Sequence, residues 1–513
     1  MSGLRPCAPI VVWTPGRHAA VAPHDAVASR RSGAASPQRC PRLAVPLPSS
    51  FRNRARALPV LAVLAVLAAP GALGAQRATL EPITHHETLA NGLQVIVVEN
   101  HAVPLATAEI VVRTGAMTQA EDEQGVPHLY EHMLFKSYHG AGDRSFGQEA
   151  AMMHAAYNGT TSEEQVSYFL TLPSSNVDDA VRLLADLVRD PRFEDHELQT
   201  ERFVVFGEFQ RRMSEPPFQL QRGLDMLLWG PSFNRKNTIG NEMSLLGVTP
   251  KRLEEIYHRY YVPNNAALVV TGDVSAAPVF AMAHHRFDGW KQRPDPFAAN
   301  PVPPMAPLDS SRALVVAADV NDITIEVEWQ GPSVPDDARG TYAADVLSDI
   351  VDDEDSDFQK RLVDSGLFHS AHFSYETLAH VGPITFRGTT TPDRLAGALT
   401  SLATELALMN EPAYFTPQAL AVAKKRRSVQ TVFELEEGAT LAQTLGDWWS
   451  VGGLEHYLGY VDNLSACTAA DLHAYVQRYL GSKPFVVGAL APAKYTPAVS
   501  QVLAQYIALT NEK

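Results

Sequence analysis

The pattern T-x3-L-x5-R-Y occurs twice in this chain, and each copy leads into an apolar run. The first is Thr249, Leu253, Arg259 and Tyr260 before ALVVTGDV; the second is Thr468, Leu472, Arg478 and Tyr479 before FVVGALAP. Both copies close a block with the same coarse order: two strands, helices, strands, two helices, then a helix and a strand. Equivalent placement argues for an internal duplication. Between the blocks, Pro294 to Pro307 holds six prolines. Such a density excludes regular structure and reads as a linker between domains. With 513 residues, 45% of them hydrophobic, the chain can bury two cores.

Within the first block, residues 92–98 and 106–113 are rich in β-branched side chains and read as strands, as do 166–172 and 266–270. Residues 177–189 place apolar side chains at helical spacing. Residues 193–213 open on Glu194 and close on Arg211 and Arg212, matching the helix dipole. A further helix is expected near 250–260.

Residues 1–75 contain nine Arg, no Lys and one acid, Asp25; the remainder carries 33 basic and 56 acidic side chains. So acidic a body argues against nucleic acid, which needs a basic surface. It suits cationic or unfolded peptides. Of three cysteines, Cys7, Cys40 and Cys467, only the last lies in the body. That excludes an internal disulfide and a cysteine-type zinc site there. Arg52, Arg54 and Arg56 flank an apolar run at 57–69, and Ala72-Leu73-Gly74 follows. This is a secretory signal pattern, too short for a comfortable membrane span. Export, to the periplasm in a bacterial cell, is the expectation; a transit peptide or a retained anchor are the alternatives.

His128-Leu129-Tyr130-Glu131-His132 follows Pro127, a residue favoured in a first helical turn. Side chains four apart share a helix face, so both imidazoles can reach one metal ion. Glu131 lies one position off that face, where a carboxylate can take a proton from metal-bound water. Imidazole and carboxylate ligands suit zinc better than the hard-oxygen ions. The competing reading is an ordinary surface helix. A catalytic zinc needs a third protein ligand. Glu201 and Glu208, two turns apart on 193–213, share a face, and spacing alone does not choose between them. In the second block the corresponding stretch is DVLSDIVDDED, which reads as a solvated helix end rather than a metal site.

The segments LANGLQVIVVEN, RTGA, GVPHLYEHMLFK, NGTTSEEQVSYF, LLADLVRDPRF, LQTERFVVFGEF, IGNEMSL and YYVPNNAALVVTGDV together resemble the insulinase, pitrilysin and mitochondrial processing peptidase family of inverted-motif zinc peptidases. The resemblance runs over roughly residues 85–490 and is strongest in the first half. It implies that His128 and His132 are zinc ligands, Glu131 the general base and Glu208 the third ligand, with one zinc per chain. It further implies that Glu201 supports the site from outside the ligand set and that Asn158 lies near the cleft. Two departures stand out. Pro127 replaces a usual Ala, and Lys136-Ser137-Tyr138 replaces Lys-Gly-Thr; neither touches a ligand.

The implied fold is α+β: two homologous α/β sandwich domains, each a mixed sheet packed with helices, forming half of a clamshell. The expected divisions are an N-terminal extension and signal peptide at 1–75, a zinc-bearing domain at 80–290, a linker at 291–310 and a zinc-free homologous domain at 311–513. The implied activity is endopeptidase cleavage of extended or unfolded chains. The working unit is expected to be a homodimer, or a heterodimer with a related zinc-free chain. Some such pairs offer a substrate-binding Arg and Tyr; Arg387 and Tyr375 are candidates here, though ordinary strand roles fit them better. The alternative function is a non-catalytic or weakly active partner subunit. Intact His128, Glu131, His132, Glu201 and Glu208 weigh against it.

Overall fold

The computed structural model describes residues 10–13, 75–140, 142–434 and 438–511. The segment read as a signal peptide, 52–74, lies outside them. Twelve strands form two six-stranded sheets among these residues. The first sheet comprises β2 (Thr84–Thr88), β3 (Gln94–Glu99), β4 (Leu105–Val112), β5 (Ala156–Thr161), β6 (Val166–Pro173) and β7 (Ala266–Gly272), in the order β2-β3-β7-β4-β6-β5. The second comprises β1 (Ile10–Trp13), β8 (Arg312–Ala318), β9 (Ile323–Gln330), β10 (Ser370–Tyr375), β11 (Pro383–Thr390) and β12 (Val486–Pro492), in the order β1-β8-β12-β9-β11-β10. Strand for strand, β3-β7-β4-β6-β5 repeats as β8-β12-β9-β11-β10. In each sheet one inner pair is parallel, β3 with β7 and β8 with β12, and the pairs that follow towards β5 and β10 are antiparallel; the outer pairs differ, β2 running antiparallel to β3 and β1 parallel to β8.

The repeated T-x3-L-x5-R-Y pattern has a physical basis. Thr249 and Thr468 each cap a helix, accepting hydrogen bonds from the backbone N–H of Arg252 and Asp471. Leu253 and Leu472 anchor those helices in their respective cores. Each helix then delivers the chain to the central strand of its sheet, β7 or β12, which is buried along its whole length.

Such complete burial requires cover on both faces, which is why these strands read as continuous apolar runs. One face of each sheet packs on helices of its own block. The other is covered by a helix from the opposite block. Leu220, Leu224 and Leu228 of Pro216–Trp229, spaced at four residues, lie on Leu314, Val316, Val486 and Leu490 of the second sheet. Leu441, Leu445 and Trp449 of Gly438–Val451 lie on Ile96, Val98, Val111, Ala267 and Val269 of the first. The approach is close: a Cβ on Gly488 would stand 2.7 Å from Leu220 Cδ1. At about 1.5–3 kcal/mol per fully buried aliphatic side chain, this exchange makes each half depend on the other.

Three expectations need correction. The helix expected at 193–213 begins at Asp195, with Glu194 in extended conformation at its N-cap. The proline-rich segment contains a helical turn, Pro296–Ala299, because Asp295 accepts the Phe297 N–H at 2.8 Å and Pro296 occupies a first-turn position that needs no donor. The acidic run in the second block is not simply solvated. Asp345 accepts the Tyr460 hydroxyl at 2.6 Å, and Asp349 takes a two-pronged ion pair from Arg427. These pairs tie Val334–Val351 to its neighbouring helices.

Candidate metal centre

The helix α1 (Val126–Ser137) starts at Gly125, whose φ of 84° puts it in the left-handed region. A Cβ there would strike the Gly240 backbone at 2.7 Å, so only glycine fits. Leu129, Tyr130, Met133 and Leu134 are buried and seat α1 in the first core. This fixes the rotation of the helix and turns His128, Glu131 and His132 to the opposite side, towards α2 (Asp195–Met213) and β5.

On α2, Leu198, Glu201 and Val205 are buried, and Glu208 lies two turns beyond Glu201. Glu208 Oε2 is 3.6 Å from His128 Nε2 and 4.0 Å from His132 Nε2. One donor atom from each of the three residues falls within 4.8 Å of the others. Ligands about 2.0–2.2 Å from one tetrahedral ion stand about 3.4 Å apart, so this two-nitrogen, one-carboxylate set fits a zinc ion with little adjustment. Glu201 is placed differently. Its Oε2 pairs with His132 Nδ1 at 3.1 Å, on the far side of the ring from Glu208, and its Oε1 pairs with Lys136 Nζ at 3.0 Å. Such a carboxylate fixes the imidazole orientation and leaves Nε2 for the ion. The geometry thus brings Glu208, and not Glu201, to the two Nε2 atoms.

Electrostatics follow from burial and these partners. Burial, with smaller contributions from His132 and Arg212, pushes the His128 imidazole down to about 4, which keeps it neutral, as a ligand must be. For His132, burial lowers the pKa, but the Glu201 hydrogen bond and the Glu131 and Glu208 charges outweigh it. The hydrogen bond from His132, then that from Lys136, holds Glu201 below its ordinary range. Burial raises Glu131, opposed by its hydrogen bond from Thr161.

Glu131 is buried against β5. Thr161 Oγ1 donates to its Oε2 at 2.6 Å. A Cβ on Gly159 would lie 2.8 Å from Glu131 Cγ and Oε1, so the carboxylate needs a bare backbone beneath it. Asn158 is exposed one residue earlier on β5, in register with Phe169 of β6. Arg387 and Tyr375 lie in the second sheet. Arg387 pairs with Glu326 at 3.2 Å, and the Tyr375 hydroxyl donates to the Pro332 carbonyl at 3.1 Å. Both have structural partners, in keeping with ordinary strand roles. Motif spacing did not reveal Thr161, Gly159 or the Lys136–Glu201 pair; they act across sequence separations of roughly 30 to 70 residues, where only the fold brings them together.

Two family models match. The first, insulinase (peptidase family M16), matches residues 94–230, and the second, the peptidase M16 inactive domain, matches residues 247–427. The chain belongs to the insulinase family. Its relatives include the zinc protease PqqE of Helicobacter pylori, 26% identical over 59% of this chain and 69% of that protein. A zinc protease of Mycobacterium tuberculosis is 24% identical over 79% of this chain and 92% of that protein. Among solved structures, an H. pylori protease superposes with a TM-score of 0.70 at 22% identity, covering 80% of this chain and 99% of that one. The periplasmic protease PqqL of Escherichia coli gives a TM-score of 0.67 at 18% identity; 84% of this chain matches 50% of that one. Among the described residues, no helix is long and apolar enough to cross a membrane.

Proposed function

We propose that this chain is a zinc-dependent endopeptidase acting on extended peptides or unfolded polypeptides. The observation that carries the reading is the meeting of His128, His132 and Glu208 around one point, with Glu131 beside it at the edge of the first sheet. Strand β5 is that edge; among the described residues it pairs only with β6. An extended peptide can add there, gaining main-chain hydrogen bonds with weak demand on sequence. Zinc, when held by the two imidazoles and Glu208, supplies a Lewis acid and acidifies water. Thr161 holds Glu131 Oε2, which leaves Oε1 to take a proton from the attacking water and return it to the leaving amine. Glu201 and Lys136 keep His132 in the required orientation. Asn158, exposed on the same strand, is assigned in this reading to contact with the substrate backbone.

Export to the periplasm is part of the proposal, supported by the signal pattern at 52–74 and by the periplasmic location of the structural relative PqqL. So is a dimeric working unit, since the half that matches the inactive-domain model contributes no ligand. Full activity in a strictly monomeric size fraction would refute the dimer. The test of the central reading is elemental analysis of protein never exposed to chelator, together with cleavage of an unstructured peptide. About one zinc per chain is expected, with cleavage lost on chelation and restored by zinc. Absence of metal would sink the ligand assignment.

A further inference from the structure

The second half of the chain provides no residue to the ligand cluster, yet it grips one element of the site. That element is the turn at residues 162–165, which joins β5 to β6 directly after Thr161. The turn closes through Ser162 N–H to the Gln165 carbonyl at 2.9 Å, and the Ser162 hydroxyl accepts the N–H groups of Glu164 and Gln165. Its next three side chains all reach out of the hairpin. Glu164, almost wholly buried, accepts three hydrogen bonds from the second half: Ala379 N–H at 2.7 Å, His380 N–H at 2.6 Å and His380 Nδ1 at 2.9 Å. Glu163 pairs with Lys236, whose Nζ also donates to the Val381 carbonyl at 2.7 Å. Gln165 donates to Asp447 on the helix that the second half lays over the first sheet.

We propose that this turn is a latch through which the ligand-free half positions the general base, with Glu164 as the positioning residue. The inference rests on the peptidase reading above. Among the described residues strand β5 is paired on one side only, so its place is set by β6 and by whatever holds its ends. At one end is Thr161, the hydroxyl partner of Glu131. The segment that grips the turn, residues 376–382 between β10 and β11, is itself held: Gly331 N–H bonds to the Gly382 carbonyl at 2.8 Å and Val334 N–H to the Leu378 carbonyl at 2.9 Å. A continuous set of hydrogen bonds therefore runs from the second sheet through Glu164 and the turn to Thr161 and Glu131. Motion of the second half relative to the first would shift Thr161 and the Glu131 carboxylate it holds, while the backbone of α1, which carries Glu131 with His128 and His132, and that of α2 stay in place.

The test compares the full-length wild-type chain with Glu164→Gln, Thr161→Val and the double variant. Each is measured for zinc affinity by chelator competition, for kcat and KM on an unstructured peptide, and for Tm. Expected for Glu164→Gln is a roughly 10- to 100-fold fall in kcat, the scale for a reacting group displaced by up to about 1 Å, with KM and zinc affinity unchanged. The double variant should be no slower than Thr161→Val alone, because both act on one contact. Arg113→Lys, at the separate contact with Trp449, serves as a control for general loosening and should lower Tm without lowering kcat. Unchanged kcat in Glu164→Gln, additive losses in the double variant, or loss of zinc along with rate would each overturn the latch. If Glu164→Gln does not fold, Glu164→Asp, which keeps the charge but retracts it by one methylene, is held to the same outcomes. A wild-type chain without zinc or activity would instead refute the peptidase reading.

Discussion

Replacing Gly159 by alanine should disable the base while leaving the metal site intact. The new Cβ would stand 2.8 Å from Glu131 Cγ and Oε1 and 3.0 Å from Cδ. Non-bonded carbon atoms settle at about 3.5–4.0 Å, so either the carboxylate or the β5 backbone retreats by about 0.7–1.2 Å. The backbone is held by its ladder to β6 and by the turn that follows, which leaves Glu131 to move and to stretch its bond from Thr161. A misplacement of about 1 Å at a reacting group costs roughly 100-fold in rate, equivalent to about 2.7 kcal/mol in the barrier. His128, His132 and Glu208 lie on α1 and α2, so zinc affinity should stay within about twofold of wild type. The assay is kcat and KM on a quenched-fluorescence peptide, with zinc titrated against a chelator and Tm recorded in parallel. A variant that retains kcat within about threefold would show that Glu131 does not need this position, against the expectation from proximity.

Glu208→Gln should cost far more zinc affinity than Glu201→Gln; removal of an outer support typically costs about 10–100-fold, and equal or reversed losses in chelator competition would misplace the third ligand. Glu109 offers a separate test on stability. It is fully buried beneath the exchanged helix, and burial, opposed by the Ser167 hydroxyl, pushes its carboxyl up to about 8. A carboxyl raised on folding favours the folded state below its unfolded pKa and loses that benefit as pH climbs through the folded value. Between pH 5 and pH 8 the wild type should therefore lose about 3 kcal/mol from this group, and Glu109→Gln should not. Denaturant titrations at both pH values measure the difference, and parallel slopes in the two proteins would refute it.

The duplication and most central strands were legible because capping threonines and continuous apolar runs have local causes. Thr249, Thr468 and the strands at β7 and β12 show this. The exchange of Pro216–Trp229 and Gly438–Val451 was not legible, because an apolar stripe such as Leu220, Leu224 and Leu228 declares that it is buried but not against which sheet. Strand β5 escaped for the opposite reason: its residues Ala156 to Thr161 are mostly exposed and carry little β-branched apolar pattern. In the site, the His128–Glu131–His132 spacing is a property of one helix and could be read directly. The roles of Thr161, Gly159 and Lys136 arise only where β5, α1 and α2 meet. The acidic run at Asp345–Asp349 misled because its arginine and tyrosine partners, Arg427 and Tyr460, lie far along the chain.

The most direct test is Glu131→Gln, measured at once for bound zinc and for turnover. The substitution keeps the shape of the side chain and spares all three ligand residues but removes the proton acceptor. Zinc should remain at about one per chain, while kcat on an unstructured peptide falls by at least about 100-fold, the lower end of general-base contributions. Loss of zinc together with activity would make Glu131 a ligand or a structural support, and undiminished turnover would place the chemistry elsewhere.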